Sequence, residues 1–269
     1  MAIGVSRKDL VRGRHYMILC QLYEELEQME KAAECLAIAR AQAPDLAFLS
    51  REEFQRLVAE TNLAAMYADA ILPEDQDLVD AEIKDACLES VRVAGRGRYP
   101  RLDYYAIDDT GNLRHAFICS SYNWRPPPMR ELVILLGAVP VLPFVDQSGK
   151  ILTARFDRVE GLPGYYFGKV SYAEEHRPGT FGSMLAGLPC QECLEISGGE
   201  FLLRTRGDLN QSRKHYRLLL SIPRDYSVRN STAEPTEVRE SAGRVVHIFR
   251  RKLRSNEAYP DVRVSLQKT

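Results

Sequence analysis

The rhythm of apolar and polar residues changes once along the chain, near residue 98. Before that point apolar residues recur at three- and four-residue steps, the period of an α-helix. Tyr16, Leu19, Tyr23 and Leu26 share one face of a first helix, and Ala32, Leu36 and Ala39 share one face of a second, with a break near residues 27–30. Pro44 stops the second helix, because it has no N–H to donate and disfavours helix at the residue before it. Ser50 and Glu53 have the spacing of a capping box. Phe54, Leu57, Val58, Leu63, Tyr67 and Ile71 then predict a third helix reaching Pro73, and Val79, Ile83, Ala86, Cys87 and Val91 predict a fourth over residues 78–93.

Gly95, Gly97 and Pro100 mark a linker, which divides the chain into a helical module over 1–98 and a β-rich domain over 99–269. Residues 102–107 and 113–119 flank Asp108-Asp109-Thr110-Gly111-Asn112 and read as a β-hairpin. Residues 141–145 and 151–156, around Asp146-Gln147-Ser148-Gly149-Lys150, read as a second. A short helix is expected over 129–136, a strand over 165–172, and irregular chain over 174–199, where Gly and Pro are frequent. Residues 201–205 and 216–222 flank a polar loop; 227–241 reads as polar and mobile; 245–249 and 262–266 read as closing strands. The expected class is α+β: about four antiparallel helices, then a mainly antiparallel sandwich, barrel or bent sheet.

Composition adds bounds. The chain has 269 residues, 45% apolar and 27% charged, as in a soluble globular protein. Its longest apolar run, residues 132–145, is too short for a bilayer and contains Pro140 and Pro143. The opening MAIGVSRKDL has the form of neither a secretory nor a myristoylation signal. With no secretory signal expected, the six dispersed cysteines read as free thiols in a reducing cytoplasm. Charge is uneven: residues 1–98 hold 12 basic and 18 acidic side chains, 99–200 hold 9 and 12, and 201–269 hold 15 and 7. An acidic helical end therefore faces a basic C-terminal region.

Candidate chemistry is sparse. Cys190 and Cys193 form a C-x-x-C without the second ligand pair that zinc needs, so they read as loop cysteines. His115 and Cys119 share a strand face but stand about 13 Å apart, too far for a nucleophile–base pair. Glu174, Glu175 and His176 could supply an acid–base group or a metal ligand, and read first as solvated loop. No nucleophile elbow, zinc-helix or phosphate-loop motif occurs, and no cofactor is expected. Arg213, Lys214 and Arg217 around His215 and Tyr216, and Arg250, Arg251, Lys252 and Arg254 after Phe249, interleave cations with aromatics. That pattern suits phosphate contacts and base stacking. It also suits an acidic protein, or the chain's own acidic helices.

Residues 13–46 resemble a tetratricopeptide repeat, a helix–turn–helix unit of about 34 residues. Tyr16, Leu19, Cys20, Tyr23, Ala32, Leu36, Ala39 and Pro44 fall in order on that family's pattern of large and small residues with a closing proline. The resemblance implies a helical hairpin with a protein-binding face that includes Tyr16, Leu19, Tyr23 and Leu36. The segments YEELEQMEKA and LSREEFQRLV are similar to the opening helices of 14-3-3 proteins. The comparable third-helix run, ETNLAAMYADAIL, has no Lys or Arg to hold phosphate. The expectation is a cytoplasmic, non-catalytic interaction or assembly protein that binds a protein partner or itself through the N-terminal helices. Nucleic-acid binding by the basic region, and a hydrolase with its site in the 160–200 loops, are the alternatives; no membrane partner is expected.

Overall fold

The computed structural model describes residues 7–67, 70–90, 100–124, 126–189, 194–197, 200–204, 215–252 and 262–268. Across them the chain is α+β, helical first and then mainly antiparallel β. Helices α1 (Arg7–Glu25) and α2 (Met29–Gln42) form a hairpin that reverses at Glu27, whose φ is 58°. Gly13 lets the two helices meet closely: a Cβ there would lie 3.0 Å from Ala43 Cβ and 3.3 Å from the Ala39 carbonyl. Helix α3 (Arg51–Glu60) opens on the expected capping box, with Ser50 Oγ accepting from Glu53 N at 3.1 Å and the Glu53 carboxylate accepting from Ser50 N at 2.6 Å.

The long third helix is corrected. It stops at Glu60, because Thr61 turns extended and donates its hydroxyl back to Leu57 O at 2.8 Å. Asn62 then accepts from Ala64 N at 3.0 Å and starts a separate turn, α4 (Ala64–Tyr67). Helix α5 (Gln76–Ser90) follows a 3-10 turn at Pro73–Asp75.

The largest sheet runs, in spatial order, β12 (Glu237–Ser241), β13 (Arg244–Lys252), β10 (His215–Pro223), β1 (Arg101–Ile107), β2 (Leu113–Asn123), β7 (Thr180–Gly187) and β4 (Leu142–Asp146). A four-stranded sheet runs β11 (Tyr226–Ser231), β14 (Arg263–Lys268), β9 (Glu200–Arg204) and β8 (Leu194–Ser197). A three-stranded sheet runs β3 (Met129–Leu136), β6 (Tyr166–His176) and β5 (Thr153–Arg158). All these pairings are antiparallel except β1 with β10, which is parallel, with Arg101 opposite Tyr216.

Side-chain alternation explains the layers. Leu102, Tyr104 and Ala106 of β1, with Ile118, Leu185, Leu219 and Ile248, face a helical layer of Leu63, Met66, Ile71, Val79 and Ile83. The intervening residues face the small sheets. Tyr105, Leu218, Leu220 and Phe249 pack under Val264 and Leu266, and Phe117, Met184 and Ala186 pack under Leu132, Ile134 and Val170. The large sheet is thus covered by helices on one face and by two small sheets on the other.

Several expectations about the β-region are corrected here. Residues 129–136 are strand β3 and not a helix; their burial alternates, with Leu132 and Ile134 inside and Val133 exposed. The turn at 146–150 forms as expected, with Asp146 Oδ1 accepting from Ser148 N at 2.8 Å and Lys150 N at 3.1 Å. Its two strands then part, β4 joining β7 and β5 joining β6. Residues 174–199 contain the end of β6 and all of β7 and β8, and 227–241 contain most of β11 and all of β12. Fourteen strands, more than the sequence pattern predicts, occur among the described residues.

The α1–α2 hairpin has a core of its own. Met17, Cys20, Ala32, Leu36 and Ala39 pack with Leu46, Phe48 and Trp124. A short neck holds this unit to the large sheet: Ala47 N donates to Trp124 O at 2.8 Å, Tyr122 OH to Ala47 O at 2.6 Å, and Arg40 to both Phe48 O and Glu53. Of the expected linker at 95–101, residues 95–99 lie outside the described residues, and Arg101 already belongs to β1.

Candidate functional site

The outward face of α1 is the first candidate. Val11, Ile18 and Leu22 recur at seven and four residues and so share a helical face. Leu19 flanks them, and Leu26 and Met29 extend the stripe over the hairpin tip. All six are 38–63% exposed. The inward face is already used by Met17 and Cys20, so α1 is apolar on two sides. Charge is divided along it: Lys8, Arg12 and Arg14 outnumber the single acid Asp9 in the first half, and Glu24, Glu25 and Glu27 lie near the end.

The four residues named for a protein-binding face separate. Leu36 is buried, and Tyr16 and Tyr23 lie half-buried against the hairpin core. Only Leu19 belongs to the exposed stripe. The set read from the three-four periodicity, Tyr16, Leu19, Tyr23 and Leu26, lies between the inner face of Met17 and Cys20 and the outer face of Val11, Ile18 and Leu22, so it mixes half-buried and exposed residues.

The basic C-terminal residues meet the acidic helix α5. Arg217 and Arg250 stand directly opposite each other on β10 and β13, both directed at the helical layer. Glu82, Asp85 and Glu89, one or two turns apart on α5, lie over them. The Glu82 carboxylate, 4% exposed, receives Arg250 Nε at 3.0 Å and a second bond from Arg250 Nη2, and lies 3.4 Å from Arg217 Nε. Arg217 Nη2 reaches Asp85 at 3.1 Å and Glu89 at 2.8 Å, and His215 Nδ1 lies 2.9 Å from Glu89. Burial would raise the Glu89 carboxyl, but the Arg217 bond and charge hold it below its usual value. Arg250 also pairs with Glu237 at 2.8 Å. Arg251 and Lys252 are exposed, and Arg213, Lys214 and Arg254 lie outside the described residues.

Two buried polar clusters remain. On the large sheet, Arg101 makes a bidentate pair with Asp103 at 2.7 and 3.1 Å, and His115 Nε2 lies 3.0 Å from the same carboxylate while stacking on Tyr105. Burial opposes the Asp103 charge, but Arg101 and His115 bring its pKa down to about 2. At the start of β7, Thr180 donates to Arg177 O at 2.6 Å and so accepts from His176 Nδ1 at 2.8 Å. This leaves Nε2 as the acceptor facing Ser121 Oγ at 3.4 Å. Burial lowers the His176 pKa to about 4, so the ring is neutral.

An open cleft of about 620 Å³ lies beside this second cluster, lined by Arg130, Glu131, Ser171, Tyr172 and Glu175. Both Ser121 and His176 are buried, and the histidine's second nitrogen meets a hydroxyl rather than a carboxylate. The arrangement locks the end of β2 against β6 and β7. It has the tautomer of a serine–histidine pair without its orienting acid or its access.

Among the described residues no group of three or more His, Cys, Asp or Glu side chains could hold a metal. Cys190 and Cys193 lie outside them. Cys20, Cys35, Cys87 and Cys119 are buried thiols, and burial pushes Cys20 up to about 12.

No protein-family model matches the chain, and no curated protein matches it. Among solved structures it is similar to an M1 zinc metallopeptidase from Deinococcus radiodurans, at 11% identity over 63% of this chain and 41% of that one, with a TM-score of 0.34. It is also similar to native yeast LTA4 hydrolase, at 9% identity over 64% of this chain and 29% of that one, with a TM-score of 0.40. The chain therefore spans under half the length of these proteins. Likenesses of this size carry no argument about activity.

Proposed function

We propose that this chain is a non-catalytic interaction or assembly protein. Its docking element is the repeat-like α1–α2 hairpin, and its β-rich body is the platform that holds the hairpin out. The observation that carries the reading is the contrast between two helical faces. The sheet-facing side of α5 is fully engaged, by Val79 and Ile83 in the core and by Glu82 on two arginines. The outer side of α1 and the hairpin tip together leave six large apolar side chains in water. A contiguous apolar patch of that kind marks an interaction site. The buried thiols agree with a reducing cytoplasm as the setting, and no helix among the described residues is long and apolar enough to cross a membrane.

The apolar dye ANS tests this. At low protein concentration the dye should bind saturably, and Leu22→Glu with Leu26→Glu should remove most of that binding without lowering the thermal midpoint. Unchanged dye binding in that variant would refute α1 as the docking element.

The nucleic-acid reading keeps Arg251 and Lys252 as exposed cations, whereas Arg217 and Arg250 are neutralised from within. The observations favour the second alternative named for that region, the chain's own acidic helix as its partner.

A further inference from the structure

Resting on the reading of α1 as a docking element, we propose that its occupant is the α1 of a second copy of this chain, paired antiparallel about a two-fold axis that passes between Ile18 and Leu22.

Three observations combine. The first is self-complementarity of the apolar stripe. Antiparallel pairing centred between residues 18 and 22 sets Ile18 against Leu22 of the second copy. It also sets Val11 against the hairpin-tip residues Leu26 and Met29. Because the arrangement is isologous, each contact occurs twice.

The second observation is charge. The first half of α1 carries Lys8, Arg12 and His15 on or beside the stripe, and the end carries Glu25 and Glu27; all five are exposed. Antiparallel pairing puts the basic half of each helix over the acidic end of the other. Parallel pairing would set Arg12 against Arg12 and Glu25 against Glu25, which like-charge repulsion disfavours. The divided charge therefore selects the orientation.

The third is area. The six apolar side chains leave about 500 Å² exposed on each copy, so a symmetric pair would bury ~1,000 Å² before the stems of the flanking charged residues are added, which reaches the lower bound for a specific interface. The neck at Ala47 and Trp124 ties the hairpin to the end of β2, and α1 is covered on its inner side by α2.

Sedimentation equilibrium of the full chain, from low to high micromolar concentration, tests the proposal with four variants. The parent should show a reversible monomer–dimer equilibrium. Leu22→Glu should weaken it about 30-fold or more, since it places a charge at the centre of an apolar contact. His15→Glu and Glu25→Arg should each weaken it, and the two together in one chain should restore it, because the two-fold sets residue 15 against residue 25 of the second copy and the swap makes both contacts ion pairs. Dimerisation that Leu22→Glu abolishes but the double swap fails to restore would overturn the antiparallel orientation. Dimerisation indifferent to Leu22→Glu would place the contact elsewhere and overturn the proposal. A parent that stays monomeric throughout, while its ANS binding still depends on Leu22 and Leu26, would overturn the second copy as occupant and leave the docking reading standing.

Discussion

Replacing Glu82 by Gln removes one buried carboxylate charge from between Arg217, which is buried, and Arg250, which is half-buried. Arg217 and Arg250 are register partners across β10 and β13, an arrangement in which like charges repel. Glu82 lies against both guanidinium groups and is 4% exposed. Glutamine keeps the shape and removes the counter-charge. Breaking a buried ion pair from one side costs about 3–5 kcal/mol, because the remaining charge stays buried without compensation. The lower end applies, since Arg217 retains Asp85 and Glu89 and Arg250 retains Glu237. The expected loss is about 3 kcal/mol, or a thermal midpoint lower by about 6–12 °C for a domain of this size. Differential scanning calorimetry measures it directly. A companion variant, Glu82→Leu with Arg217→Met and Arg250→Met, should recover to within about 2 kcal/mol of the parent, as apolar replacements of whole buried pairs do. A midpoint within about 2 °C of the parent in Glu82→Gln would show that Glu82 does not hold the two strands' charges in balance.

Two further outcomes follow from buried polar groups. Tyr104→Phe removes the 2.6 Å bond that satisfies Asp75 Oδ2 and leaves a fully buried carboxylate facing Arg244 at 3.7 Å; urea unfolding should show a loss of about 2–3 kcal/mol. His176 has a folded pKa of about 4 against 6.5 when unfolded, so the unfolded chain binds the extra proton between those values. Stability should be complete above pH 6.5 and fall by about 3 kcal/mol as pH drops to 4. His176→Gln should flatten that part of the stability–pH curve, and an unchanged slope would refute the assignment.

The helices were legible because their apolar period is local. Ser50 and Glu53 announce α3 within four residues, and the bonds form as the spacing requires. Its early end was not legible, because Thr61 and Asn62 act by side-chain bonds that hydropathy does not record. Residues 129–136 illustrate a different limit. A run such as LVILL suits a buried helix or a strand equally, and the pairing with β6 decides. The turn at Asp146 was readable from Asp, Ser and Gly; the parting of its strands was not, since β4 finds its partner β7 about 40 residues on, while β5 pairs with the next strand, β6, in a separate sheet. The ion network left one trace in the sequence, the opposite charge of the two ends. Which carboxylate meets which arginine depends on α5 lying across β10 and β13. The exposed stripe on α1 was hidden for a simpler reason: a helix apolar on two faces has no single hydrophobic direction to read.

The parallel contact between β1 and β10 has a consequence for how the chain is made. β1 and β2 form a local hairpin as soon as both have left the ribosome. The other edge of β1, including Tyr104 and Tyr105, waits for residues 216–221. At ordinary synthesis rates of about 5–20 residues per second, that edge stays open for about 5–20 seconds. During that interval a strand at the centre of the final sheet, fully buried there, is its outermost one, with unpaired backbone groups that another nascent chain could join. The strand most deeply enclosed in the finished protein is thus the most vulnerable one while it is being built. The helices made before it, with Val79 and Ile83 ready to cover one face, give it partial shelter.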